Sequence, residues 1–154
     1  MTKYPNLAIL AVKHHYHYAT FAAHANVTTA LFMRVLQEGE ELTSAEFAGV
    51  SRLTGVPVSI LAARDMIRFQ KENNEDANKM AKLIDFFEYV KDNSSGRSDL
   101  LRRRISETAE RVDSLQKAFD DNRAAYCEFV AVEDCVKDCL ELLAGEVRRA
   151  QRRG

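Results

Sequence analysis

Three groups of residues in this chain have types and spacings that could do chemistry. The first is residues 20–36, TFAAHANVTTALFMRVL, which read as two short helices joined by a tight turn. Phe21, Ala22 and Ala25 give the first helix an apolar face, and Asn26 tolerates the left-handed backbone that a sharp helix exit needs. Val27 plugs the corner and Thr28 is an N-cap for the next helix. That helix buries Leu31 or Phe32 with Val35 and Leu36, so Thr29, Ala30, Met33, Arg34 and Gln37 face outward. A tight turn with small residues where two helices cross is how proteins deliver a helix to the major groove of DNA.

The second group is the HHYHY run at 14–18. His14 and His17 could join a metal site or form a pH-sensitive patch. No carboxylate or Cys beside them completes a ligand set, and His24 is the one other His, so the expectation is a polar helix end with its aromatics tucked inward. The third group is Cys127, Cys135 and Cys139. Cys135 and Cys139 share a helix face and could begin a metal site. With no His near them, they are expected to be buried structural thiols, packing as small hydrophobes. An odd count in one helical segment is no disulfide framework.

No catalytic constellation emerges: a Gly-rich phosphate loop, a nucleophile elbow and an HExxH pair are all missing from the sequence. Asp85 and Glu88 stand three apart on a helix, where carboxylates ordinarily face water. The expectation is a non-enzyme with no catalytic residue, no metal site and no cofactor. Arg102-Arg103-Arg104 and the group Arg148, Arg149, Arg152 and Arg153 could touch phosphates, but acids such as Glu107, Glu110 and Glu141 stand close enough to pair with them along a solvated helix face.

The elements that must position these residues are helices. The 154-residue chain has only 2 Pro and 6 Gly, no Trp, 46% hydrophobic and 29% charged residues, which favours an all-α protein. A formal net charge of −1 selects neither nucleic acid nor an anionic membrane. No apolar run approaches the roughly 20 residues of a membrane span. The apolar patch near the N-terminus is too short and interrupted for a signal peptide, so cytoplasmic residence is expected.

Residues 1–70 form the first expected domain. Pro5 suits a first helical turn, with Leu7, Ile9, Leu10 and Val12 on the apolar side of that helix. A solvated loop follows near Gly39. Thr43 or Ser44, with Glu46, opens a further helix in capping-box style. Gly55 ends it, and Val58 to Leu61 form a short closing helix. Residues 71–154 form the second domain, a helical or coiled-coil oligomerisation region. Met80, Leu83, Ile84, Phe87 and Val90 recur at helical spacing, and the clearest break in the chain is Asn93-Ser94-Ser95-Gly96. Beyond it a stripe from Leu101 to Val147 steps in fours and threes. One helix of about fifty residues fits this stripe, and so do two helices breaking near Asp120-Asp121-Asn122. Such a seam calls for a partner chain, most simply a second copy; a closed bundle with the preceding helix is the alternative.

On these residues the N-terminal part resembles the lambda-repressor-like (Cro type) helix-turn-helix domains of phage and bacterial regulators. Phe21-Ala22 stands at the family's Leu-Ala pair, Asn26-Val27-Thr28 at its Gly-Val-Ser turn, and Phe32 at the buried position of its recognition helix. QEGEELTSAEFAGVSRLTGV matches the family's loop and fourth helix. The resemblance implies a five-helix domain in which Tyr18 and Thr28 meet phosphates, while Thr29, Ala30, Met33, Arg34 and Gln37 lie toward the groove. Arg34 is the charged contact, and Thr29 and Ala30 suit thymine methyls. The implied function is a DNA-binding transcriptional regulator acting as a dimer on double-stranded DNA. The competing expectation is a protein-interaction module that keeps the helix-turn-helix fold without DNA binding and recruits a partner through its C-terminal helices. Residues 1–60 carry four cations (Lys3, Lys13, Arg34, Arg52) against four acids (Glu38, Glu40, Glu41, Glu46), little excess for phosphate neutralisation.

Overall fold

The computed structural model describes residues 1–153, which form eight helices: α1 (Pro5–Lys13), α2 (Tyr18–Ala25), α3 (Thr29–Gln37), α4 (Ser44–Thr54), α5 (Val58–Leu61), α6 (Asn74–Asp92), α7 (Asp99–Asp120) and α8 (Tyr126–Arg153). Among the described residues no strand forms, only an isolated antiparallel bridge between Arg68 and Ala125, and no helix is long and apolar enough to cross a membrane. The chain divides into two compact units. One comprises Met1–Arg68 and Ala125–Ala131; the other comprises Phe69–Ala124 and the chain from Val132 onward. The short return segment of the first unit had no place in the sequence-derived boundary at residue 70.

In the first unit the sequence signals for helix ends operate as chemistry. Pro5 opens α1. Thr43 and Glu46 make a full capping box at α4: the Thr43 hydroxyl accepts from the Glu46 N–H at 3.3 Å, and the Glu46 carboxylate accepts from the Thr43 N–H at 2.8 Å. Gly55 then closes α4 in the left-handed region at φ 76°. The core gathers Leu7, Leu10, Phe21, Phe32, Val35, Phe47, Val50 and Leu61, with Cys127 and Ala131 from the start of α8. The Phe21 and Phe32 rings stack at 5.9 Å, and Tyr4 meets Phe47 edge-on at 4.8 Å. His14 is buried and stacks on Tyr16 at 4.4 Å, so the first part of the HHYHY run folds inward. On α1 the buried residues are Asn6, Leu7, Leu10 and Ala11. Val12, expected on the apolar side, is 57% exposed, because the buried stripe 7–10–11 turns position 12 away from the core.

Two buried polar groups in this unit carry no sequence signal. Asn6 donates from Nδ2 to the Asp65 carbonyl and accepts at Oδ1 from the Ile67 N–H, both at 2.8 Å. It thereby satisfies backbone groups that follow α5. Glu128 is buried with its carboxylate 3.6 Å from the Lys13 ammonium. Burial raises the Glu128 pKa above its ordinary 4.5, outweighing the opposing pull of Lys13.

The second unit is an up–down–up bundle of α6, α7 and the later part of α8. The α7–α8 pair is antiparallel: Ser98 bonds Glu146 at 2.8 Å, Arg104 pairs with Asp138 at 2.8 Å, and Thr108 lies 3.4 Å from the Cys139 sulfur. Met80, Leu83, Phe87 and Val90 of α6 are buried with Leu101, Val112, Leu115 and Phe119 of α7 and Val132, Cys135, Val136, Cys139 and Leu143 of α8. The stripe beyond residue 98 is therefore two helices. Asn122 turns left-handed at φ 57°, the Arg123 N–H returns to the Ala118 carbonyl at 2.7 Å, and Asn122 Nδ2 holds Glu72 at 2.8 Å. This break folds the stripe back on itself, so burying most of it requires no second chain. All three thiols are buried and form no disulfide; burial pushes Cys127 up to about 12 and raises Cys139 as well. Their burial agrees with the sequence expectation.

Two predictions follow from the first unit. A Cβ on Gly49 of α4 would fall 1.8 Å from the His24 carbonyl oxygen of α2, a clash with backbone that no rotamer relieves. Gly49→Ala should therefore cost about 2 kcal/mol or more, read as a fall in the urea midpoint. For Glu128 the raised pKa means that the folded state holds its proton more tightly than the unfolded state. Its contribution thus falls as pH rises from the ordinary value through the folded one. Glu128→Gln should match the parent in urea melts below pH 4.5 and exceed it at neutral pH; a neutral-pH loss would show that the Lys13 pair outweighs the burial.

Candidate nucleic-acid interface

The turn between α2 and α3 is built from three residues. Asn26 sits at φ 61°, ψ 42°, in the left-handed region. Its N–H reaches the Ala23 carbonyl at 3.1 Å, and the Val27 N–H reaches the Ala22 carbonyl at 3.0 Å. The last carbonyls of α2 are thus satisfied as the chain reverses. Val27 is half-buried against the core. Thr28 is extended, at φ −72°, ψ 154°, and its hydroxyl accepts from the Leu31 N–H at 3.1 Å. Each of these roles could be assigned from residue type alone, because each is a local backbone requirement.

α3 then divides cleanly. Phe32, Val35 and Leu36 are buried, and of the two candidates for the first buried position Phe32 is the one fully enclosed, with Leu31 half-buried. Thr29, Ala30, Arg34 and Gln37 are exposed and Met33 is half-buried. The positions 30, 33, 34 and 37 repeat at helical spacing and form one continuous outward face. Thr28 is exposed at the head of α3, and Tyr18 is half-buried at the head of α2. The structure thus brings Thr28, Thr29, Ala30, Met33, Arg34 and Gln37 onto one helix and its cap, while Tyr18 packs partly against the core.

The electrostatics of this face depend on the loop behind it. The Arg34 guanidinium lies 3.6 Å from the Glu40 carboxylate, with both side chains about half exposed. Glu41 takes Lys3 at 2.8 Å and Arg64 at 3.6 Å. The hydrogen bond and charge of Lys3, and then the charge of Arg64, hold its carboxyl below the usual range. Glu46 serves the capping box. Glu40, Glu41 and Glu46 are thus engaged inside the unit, Glu40 with the single cation of the outward face. The Arg34–Glu40 pair has no signature in the sequence, because it depends on where the loop carries residue 40.

No family model, curated protein or solved structure matches this chain.

The cap at the head of α3 gives a local test. Thr28→Ala removes the acceptor for the Leu31 N–H and should cost about 1 kcal/mol, measured by chemical denaturation. Thr28→Asn should restore nearly all of it, because its side chain can also cap.

Proposed function

We propose that the first unit is a lambda-repressor-like helix-turn-helix domain that binds double-stranded DNA, with α3 as the helix that enters the major groove. The observation that carries this reading is the combination of a three-residue turn with Asn26 left-handed, an exposed capped helix N-terminus and one outward face made of Thr29, Ala30, Met33, Arg34 and Gln37. A nine-residue helix held by Phe32, Val35 and Leu36 projects Thr29, Ala30, Arg34 and Gln37 without needing them for the core, while Met33 packs partly against it. Its N-terminal amides and the Thr28 region suit a phosphate. Arg34 can donate two hydrogen bonds to a guanine edge, and the Thr29 and Ala30 methyls suit thymine. On this reading the protein regulates transcription and uses no catalytic group.

One observation favours a second reading, in which the same fold meets protein rather than DNA. Arg34 is already paired with Glu40, and that carboxylate adds negative charge where a phosphate backbone would approach.

The two readings separate in fluorescence anisotropy with mixed-sequence duplex DNA over a salt series. DNA binding predicts measurable affinity at low salt that declines linearly on logarithmic axes. Arg34→Ala should weaken binding by about tenfold, as expected for losing a base or phosphate contact. Glu40→Gln should strengthen it by releasing Arg34. Absence of binding at micromolar protein and low salt, or an unchanged affinity in Arg34→Ala, overturns the DNA reading in favour of the interaction module.

A further inference from the structure

The bundle of the second unit covers its apolar stripe incompletely. On the side where α6 runs parallel to α8, Phe86 is 53% and Tyr89 57% exposed, the two most exposed aromatic rings of the core-forming helices. They flank two grooves. One, of about 270 Å³, is lined by Lys79, Lys82, Leu83 and Phe86 of α6 with Glu133, Val136, Lys137 and Leu140 of α8. The other, of about 310 Å³, lies between Tyr89 and the stretch of α8 that includes Leu140, Leu143 and Val147, with Arg148 at its end. Leu140 borders both grooves, so they form one continuous strip along the helix pair. Exposed aromatics beside an apolar groove mark an interaction surface.

We propose that this strip is where a second copy of the chain docks, antiparallel, about a two-fold axis passing near Phe86 and Leu140. The charge pattern along the strip selects both the occupant and its direction. The two grooves align Lys79–Phe86 with Glu133–Leu140, and Tyr89 with Leu143–Ala144, so Phe86 and Leu140 stand at one level. On α8, Glu133 lies seven residues before Leu140 and Arg148 eight residues after it. They are about 22 Å apart along the helix and nearly symmetric about that level. An antiparallel copy therefore sets each Glu133 against the other copy's Arg148, making two equivalent ion pairs. On α6, Lys82 lies four residues before Phe86 and Tyr89 three after it. The same operation carries each Lys82 ammonium to the other copy's Tyr89 ring, a favourable cation–π arrangement. The apolar centre, Phe86 and Leu140, meets its own image, as an isologous interface requires.

A parallel copy would set α6 against the other copy's α8, which brings Lys82 level with that copy's Lys137 and keeps Glu133 and Arg148 apart. The Glu133–Lys137 pair within one chain, at 3.4 Å and exposed, is of a kind worth little and does not compete with the interface. This inference stands apart from the DNA reading: it concerns the second unit alone and would survive a failure of duplex binding.

The test is sedimentation equilibrium of the full chain from micromolar to near-millimolar concentration. The expected result is association to twice 17.4 kDa. Phe86→Lys should give a monomer whose circular dichroism melt is unchanged at low concentration, where the parent is also monomeric. Glu133→Arg and Arg148→Glu should each weaken association about tenfold, and the double variant should restore it, because the swapped charges still face each other. A 17.4 kDa species at every concentration overturns the proposal and leaves the strip to a different protein. Dimers that persist in Phe86→Lys overturn the location. Failure of the double swap to rescue, with both single swaps weakened, overturns the antiparallel direction.

Discussion

The first unit depends on how closely α4 can pass α2. At that crossing Gly49 lies against the His24 carbonyl, with no room for a single extra carbon. The approach brings Phe47 and Val50 into the core that also holds Phe21, Ala22 and Ala25, and it seats α2 firmly just before the chain turns at Asn26. The direction of α3 is then set by two anchors: the left-handed turn at its start and the burial of Phe32, Val35 and Leu36 along its inner side. The exposed face of α3 is a consequence of this packing. Thr29, Ala30, Arg34 and Gln37 stay exposed because the core makes no demand on them, while Met33 packs partly against it.

The second unit solves a different problem. Its apolar stripe continues for about fifty residues, and a single straight helix would leave much of it in water. The break at Asp121–Ala125, with Asn122 left-handed, turns a long seam into two antiparallel helices that cover each other and α6. Hydrogen bonds from Lys71 to the Asp120 carbonyl and from Asn122 to Glu72 fasten the turn to the start of α6. At the opposite end of α7, Ser98 caps the helix with its own hydroxyl and is in turn held by Glu146, which also pulls the Glu146 carboxyl below its ordinary pKa. Folding back consumes most of the stripe but leaves the α6–α8 side open, so a surface that began as core pattern ends as exposed apolar strip.

Charge is distributed by the same logic of local pairing. Near-neutral composition gives neither unit a strong overall field. What matters is which acid meets which base: Glu41 gathers Lys3 and Arg64, Glu40 reaches Arg34, and Asp138 takes Arg104. Exposed pairs of this kind add little stability. On the proposed DNA reading their larger effect is on recognition, since a guanidinium engaged by a carboxylate must release it before serving a phosphate or a base.

Much of the architecture was legible in the chain. Asn26, Thr28, Thr43 with Glu46, Gly55 and the Asn93–Gly96 break act on backbone groups within a few residues of themselves. The buried faces of α3 and α6 follow from helical periodicity. These signals are local, and a one-dimensional sequence records local geometry directly. The choice between one long helix and two was left open, because Asn122 is compatible with either until the packing partner is known. Gly49 could have been flagged as a glycine inside a helix, yet nothing nearby in sequence says that His24 is what it meets. Asn6 with Asp65 and Ile67, Glu128 with Lys13, and the return of Ala125–Ala131 to the first unit join residues about 60 to 120 positions apart. Sequence alone therefore determined most helix caps and the inward faces of α3 and α6. Only the tertiary structure decided which distant groups meet, because burial and pairing depend on distances in space that no local preference encodes.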